Sequence, residues 1–274
     1  MSASESLKND DFVFLQDLIY KKTGIVIGDH KKEMIYRRLS KRMRDLNIEL
    51  LDDYCNILRS DSDQEMNNFI NAVTTNLTSF FRENHHFEYL KDEFLPGFMK
   101  KGGQRFRIWS SACSTGEEPY SIAMTMRDAF GKKIKNIDAK LLATDLDTQV
   151  IRTAKNGLYD ANRLKDLPSN VKSKWFSEAS VPGKYCIDPS LKELITFNKL
   201  NLLGPWPMRG EFDVIFCRNV LIYFDKPTQE KLVKRFYDVL KVGGALMLGH
   251  SESVLKGSDD FDHLGKTIYV KRAL

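Results

Sequence analysis

Two loops in this chain hold residues that could bind a ligand. The first, SACSTG (111–116), joins the β-rich run RFRIWS to a helical stretch with Ile122, Met126 and Phe130 on one face. Small residues let backbone N–H groups approach a ligand, and the helix N-terminus faces it. The loop lacks GxGxxG, so a pyrophosphate site has little support. Glu117 and Glu118 at the helix start would repel an anion and welcome a cation or a hydroxyl or amine donor. They would equally serve as plain helix-dipole carboxylates. Asp145 ends the strand read from the run AKLLATDLD, 29 residues after Gly116, where nucleotide-binding α/β folds place an acid that accepts ribose hydroxyl bonds. A buried salt bridge or a helix cap would also explain it, and Asp147 could share the capping. Loop and acid together suggest a ribose-bearing ligand without a buried diphosphate. S-adenosylmethionine fits that description.

The second loop follows FDVIFC, a buried strand that delivers Arg218 and Asn219 to the ligand-binding edge of a sheet. IYFD puts Tyr223 nearby, although tyrosines are common in cores. NLTSFFRENHHF (76–87) carries Asn76, Thr78 and Arg82 among apolar residues, which suits either an interdomain site or a capped linker. His85-His86 has no partner at helical spacing and no carboxylate cluster nearby, so no metal is expected. Cys113 and Cys217 lack a local base and read as buried thiols. Residues 30–44 carry seven Lys/Arg against one Glu. Helical spacing there turns Met34, Ile35, Leu39 and Met43 inward. Arg37, Lys41 and Arg44 then form an outward row, with Arg38 and Arg42 flanking it. A solvated face usually mixes charges, so the imbalance suggests a surface for docking an acidic substrate.

These residues need elements to hold them. Residues 1–75 read as helical, with Phe12, Leu15, Leu18 and Ile19 at helical spacing before a break at Thr23-Gly24. Residues 76–104 form a linker and a leading helix. From 105 to 274, short β-rich runs (RFRIWS, AKLLATDLD, LITF, FDVIFC, ALMLG and TIYV) alternate with helices, which implies βαβ units around a parallel sheet. Pro119 confines one helix start to near Glu117. Pro227 opens another helix, which Gly243-Gly244 is expected to close. An antiparallel hairpin inserted at about 158–193 is read from Val181-Pro182-Gly183-Lys184, a type II turn signature.

At 274 residues with 42% hydrophobic and 29% charged residues, the composition is that of a globular protein. No apolar run reaches the ~18 residues of a membrane span, and the polar, acidic start (MSASESLKNDDF) is unlike a signal peptide. Four cysteines without a CxxC pair argue against a zinc staple or disulfides. A cytoplasmic protein is expected. Net charge of +5 is too mild to imply nucleic acid.

NLTSFFRE, WSSACSTGEEPYS, ATDLD, FNKLNLL and FDVIFCRNVLIYFD together resemble the bacterial chemotaxis receptor methyltransferases of the CheR type, over essentially the whole chain. The resemblance implies a class I S-adenosylmethionine-dependent methyltransferase. Its Rossmann-like doubly wound sheet would carry an inserted antiparallel β-subdomain and follow an all-helical N-terminal domain. It implies methylation of glutamate side chains on the cytoplasmic helices of chemoreceptors, leaving S-adenosylhomocysteine. The implied cofactor contacts are Asn76, Thr78, Arg82, Glu117, Asp145, Asn201, Leu202, Arg218 and Asn219, with Arg82 and Tyr223 near the transferred methyl. The implied partners are membrane receptor arrays, which would recruit a monomer from the cytoplasm. A methyltransferase acting on another substrate, an idle receptor-binding scaffold and a nicotinamide dehydrogenase are the rivals. The missing GxGxxG weighs against the dehydrogenase.

Overall fold

The computed structural model describes residues 9–60, 62–254 and 260–273; the start of the chain, read above as unlike a signal peptide, lies largely outside them. Four helices come first: α1 (Asn9–Thr23), α2 (Lys32–Asp45), α3 (Leu51–Arg59) and α4 (Asp63–Val73). α1 stops where expected, because Gly24 adopts a φ of 74°, open to glycine at little cost. One apolar stripe from each helix makes a separate core: Phe12, Leu15 and Ile19; Ile35, Leu39 and Met43; Tyr54 and Leu58; Phe69 and Val73. Buried Glu65 ties three helices together. It accepts the Tyr54 hydroxyl at 2.9 Å and pairs with Arg42 at 2.5 Å.

After the 74–84 segment come α5 (His85–Tyr89) and α6 (Leu95–Lys100), joined by a π-helical turn over Leu90–Phe94. Pro96 lacks the N–H that an ordinary helix would bond back to residue 92. The α/β part follows as β1 (Arg105–Ser110), α7 (Glu117–Phe130), β2 (Asp138–Asp145), α8 (Thr148–Asn156), β3 (Leu158–Asp160), α9 (Ser169–Trp175), β4 (Phe176–Glu178), β5 (Lys184–Ile187), α10 (Pro189–Lys192), β6 (Ile195–Lys199), β7 (Phe212–Cys217), α11 (Lys226–Val239), β8 (Leu240–Leu248), β9 (Phe261–Gly265) and β10 (Ile268–Lys271).

The main sheet runs β6-β2-β1-β7-β8-β10-β9. The first five strands are parallel, and β10 and β9 close the edge antiparallel. Alternate residues serve opposite faces. Ile108, Val214, Phe216 and Met247 pack with Ile122 and Met126 of α7. Trp109, Ile215, Cys217 and Leu246 pack with Leu232 and Phe236 of α11. The sheet is therefore covered on both sides, as parallel strands require.

β3, β5 and β4 form the inserted antiparallel sheet. Its expected turn is present: Lys184 N–H donates to Val181 O at 3.2 Å and Gly183 has a φ of 75°. Gly243-Gly244 does not close α11, which ends at Val239. The pair lies inside β8, where pairing to β7 jumps from Phe212↔Leu240 to Val214↔Ala245. Gly243 takes a φ of 73°, and a Cβ on Gly244 would sit 2.9 Å from Asp213 O. The glycines permit a bulge rather than a stop. No described helix is long and apolar enough to cross a membrane.

Candidate functional site

The C-terminal ends of β1, β2 and β7 open into a cleft roofed by the α1–α2 loop and the 73–82 segment. Parallel sheets present their ligand sites at this edge. Four non-glycine residues with positive φ bound the cleft or its walls: Phe81 (53°), Glu83 (54°), Ser114 (47°) and Asn219 (57°). Each costs on the order of 1 kcal/mol or more, and such strain clusters where side chains must be aimed.

Asp145 is buried at the end of β2 and lines the cleft. Its two oxygens accept N–H groups from Ser114 at 2.8 Å and Asp147 at 2.9 Å. Each oxygen keeps a further lone pair. Burial lifts its pKa to about 6, against the pull of those N–H bonds. Asp147 is the helix cap: it takes Gln149 N–H at 2.8 Å and, through its other oxygen, Asn76 Nδ2 at 2.8 Å. Asn76 is thus held against the α/β part. Its carbonyl accepts Ser114 Oγ at 3.1 Å.

The two adjacent carboxylates part company. Glu118, not Glu117, lines the cleft. Its oxygens hold Ser110 Oγ at 2.8 Å and an Arg218 nitrogen at 3.0 Å. Glu117 turns behind the loop and accepts Thr115 Oγ1 at 2.6 Å, with Arg163 3.3 Å from its other oxygen. That second oxygen, Oε1, is buried and makes no hydrogen bond. Burial raises the pKa of both carboxyls.

Arg218 is buried, and its guanidinium also meets Glu83 at 3.3 Å and donates to Arg82 O. It therefore pins the Arg82 turn to the sheet. Arg82, Thr78, Asn201, Leu202, Asn219 and Tyr223 all line the same cleft. Arg82 donates to Leu77 O at 2.8 Å. Asn201 is committed to Lys22 O at 2.8 Å and to Leu203 N–H at 3.0 Å. Tyr223 O accepts Val26 N–H at 2.8 Å, which closes the roof.

Lys31, which sequence reasoning missed, also lines the cleft, with its ammonium 5.6 Å from the Tyr223 ring. It belongs to the basic run, but helical spacing could not place it because it precedes α2. Within that run, Arg37, Lys41 and Arg44 are exposed as expected. The expected flanking cations are not part of the row: Arg38 donates to Val73 O at 2.9 Å, and Arg42 pairs with Glu65.

Among the described residues one grouping has metal-ligand geometry: ligand atoms of Glu83, His85 and His86 lie within 4.8 Å of one another. It holds a single carboxylate rather than a cluster, Glu83, whose backbone takes a left-handed φ of 54°. Arg218, shared with Glu118, already pairs with Glu83. Burial, then Arg218 and His85, press the His86 pKa down to about 3. All four cysteines are free, and Cys113 and Cys217 are buried.

Residues 10–74 match the family model "CheR methyltransferase, all-alpha domain", and residues 76–270 match "CheR methyltransferase, SAM binding domain". A probable chemotaxis protein methyltransferase of Rhizobium etli is 43% identical over 92% of this chain and 96% of its own. The chemotaxis protein methyltransferase of Klebsiella aerogenes is 43% identical over 96% and 90%, and that of Escherichia coli 40% over 98% and 93%. The seven-stranded sheet and its cleft are those of a class I S-adenosylmethionine-dependent methyltransferase, to which the three-stranded sheet is an addition. More narrowly, the chain belongs to the CheR methyltransferase family, the S-adenosylmethionine-dependent methyltransferases of chemotaxis.

Proposed function

We propose that this chain methylates glutamate side-chain carboxylates on the cytoplasmic helices of chemoreceptors, forming methyl esters that serve chemotactic adaptation. It would work in the cytoplasm, recruited as a monomer to membrane receptor arrays. The observation that carries the reading is the cleft's division of labour. One wall is acidic and suits a ribose and a cation; the mouth is basic and suits an incoming carboxylate.

Asp145 keeps acceptor capacity toward the cleft, which fits ribose hydroxyls. Glu117 sits behind the Ser114–Gly116 loop, with Arg163 3.3 Å from its Oε1 and the Thr115 hydroxyl on its other oxygen, so its proposed part is to hold that loop in shape for the cofactor. Asn76, Thr78, Arg82, Asn201, Leu202, Arg218 and Asn219 complete the proposed cofactor contacts. Several of their side chains are occupied in holding the walls together, so their contribution is to shape the walls as well as to touch the ligand. Bound there, S-adenosylmethionine supplies an electrophilic methyl group on a sulfonium.

A glutamate carboxylate is ionised at neutral pH, so this chain needs no general base. What it must do is desolvate and align the nucleophile, an effect worth up to roughly 7–11 kcal/mol. Arg82 and Lys31 at the mouth orient the carboxylate, and Tyr223 shapes the space around the reacting carbon. Arg37, Lys41 and Arg44 form the docking row for a glutamate-rich helix, raising encounter rate and setting register. Esterified product would be less acidic and would leave more readily.

The test is transfer of labelled methyl groups to receptor cytoplasmic fragments. The proposal requires a base-labile label that disappears when the fragment's glutamates are changed to glutamine. Base-stable label, or transfer to nucleic acid instead, overturns it.

A further inference from the structure

Behind the cleft, and not lining it, lies a buried carboxylate that the chemistry above does not use. Glu252 follows β8 and is 6% exposed. Its Oε2 accepts N–H groups from Asn219 at 2.8 Å and from Gly249 at 2.6 Å. Its Oε1 accepts Ile222 N–H at 3.3 Å. One side chain thus satisfies backbone donors on both sides of Val220-Leu221, the loop that presents Asn219 and Tyr223 to the cleft. Asn219 holds a φ of 57° there, a conformation that needs outside support. Its Nδ2 reaches Glu83 Oε1 at 3.3 Å, next to Arg82. Room for the carboxylate depends on Gly249, where a Cβ would meet Asn219 N and Glu252 Oε2, both at 2.7 Å.

We infer that Glu252 is a positioning residue for methyl transfer: it fixes the backbone from Asn219 to Tyr223, and through Asn219 it steadies the turn that carries Arg82. The inference rests on the function proposed above. A helix cap or a generic buried acid would stabilise the fold without setting turnover. Glu252 instead joins loops from two strands at the wall opposite Asp145. An amide in its place would set an NH2 group against backbone donors, leaving at least one of them without an acceptor.

The experiment compares Glu252→Gln, Gly249→Ala and, as control, Asp213→Asn, by labelled methyl transfer to a receptor fragment well below each Tm. Asp213 is a buried acid at the other end of β7, holding Arg107 N–H at 2.7 Å and Lys241 at 2.7 Å. Glu252→Gln and Gly249→Ala should lower kcat at least about tenfold with receptor KM unchanged within about twofold, a loss confined to the transition state. Asp213→Asn should lower Tm and keep kcat. Glu252→Gln on an Asn219→Ala background should cost less than about threefold more, because coupled residues are not additive. If Glu252→Gln does not fold, Gly249→Ala decides. Folded variants with wild-type kcat, or additive losses, overturn the inference. Absence of transfer by the wild-type protein would instead overturn the function on which it rests.

Discussion

Replacing Asp145 by Asn tests the ribose assignment and separates binding from folding. The carboxylate accepts backbone N–H groups at 2.8 Å from Ser114 and 2.9 Å from Asp147, so the amide must turn its NH2 toward one donor or toward the ligand. Charge-assisted hydrogen bonds are worth about 1.5–3 kcal/mol each. Losing one ligand bond therefore means roughly a ten- to 150-fold weaker Kd for S-adenosylhomocysteine, read by calorimetry. The pH dependence sharpens the test. Burial holds the Asp145 pKa at about 6, against about 3.9 in an unfolded chain. Below about pH 6 the folded protein protonates it and loses an acceptor, so affinity should fall between about pH 7.5 and about pH 5. Stability moves the other way. A raised carboxyl pKa contributes stability at low pH, and that contribution is lost as pH rises through about 6. Asp145→Asn should flatten the affinity profile. A folded variant with wild-type affinity, or a wild-type affinity that is level across this range, refutes the assignment.

Tyr223→Phe and Arg82→Ala should lower kcat more than they weaken cofactor binding; a full kcat for Tyr223→Phe would make that tyrosine a packing residue. Reversing Arg37, Lys41 and Arg44 to Glu should raise receptor KM severalfold and flatten its salt dependence, leaving S-adenosylhomocysteine affinity intact; an unchanged KM at low and moderate salt would assign the row to solvent. Glu65→Ala should destabilise the helical domain by about 1–3 kcal/mol, seen as a lower Tm, because Arg42 and Tyr54 lose their shared acceptor. A Tm shift of under a degree would show that the buried pair holds little.

β7 was legible to the residue, because a parallel strand buried on both faces reads as a short apolar run between polar breaks; β1 was legible from Phe106, Ile108 and Trp109 despite the arginines between them. The cap at Asp147 and the acid at Asp145 follow from the end of β2. Less legible was which of Glu117 and Glu118 faces the cleft. Neighbours on a helix point about 100° apart, and Ser110 and Arg218, not spacing, choose between them. Gly243-Gly244 was misread because a helix stop and a strand bulge use glycine for the same backbone freedom. Glu83, Lys31 and Glu252 act across long sequence separations, through a left-handed turn, a loop and a carboxylate that reaches back to β7. No local pattern encodes those contacts.

The most direct test of the central claim is mass spectrometry of receptor cytoplasmic fragments after incubation with this chain and methyl-labelled S-adenosylmethionine. The account predicts labelled methyl esters on glutamate side chains of the receptor helices, absent with S-adenosylhomocysteine in excess. Label on any other residue type, or fragments left unmodified while the protein binds the cofactor, would contradict it.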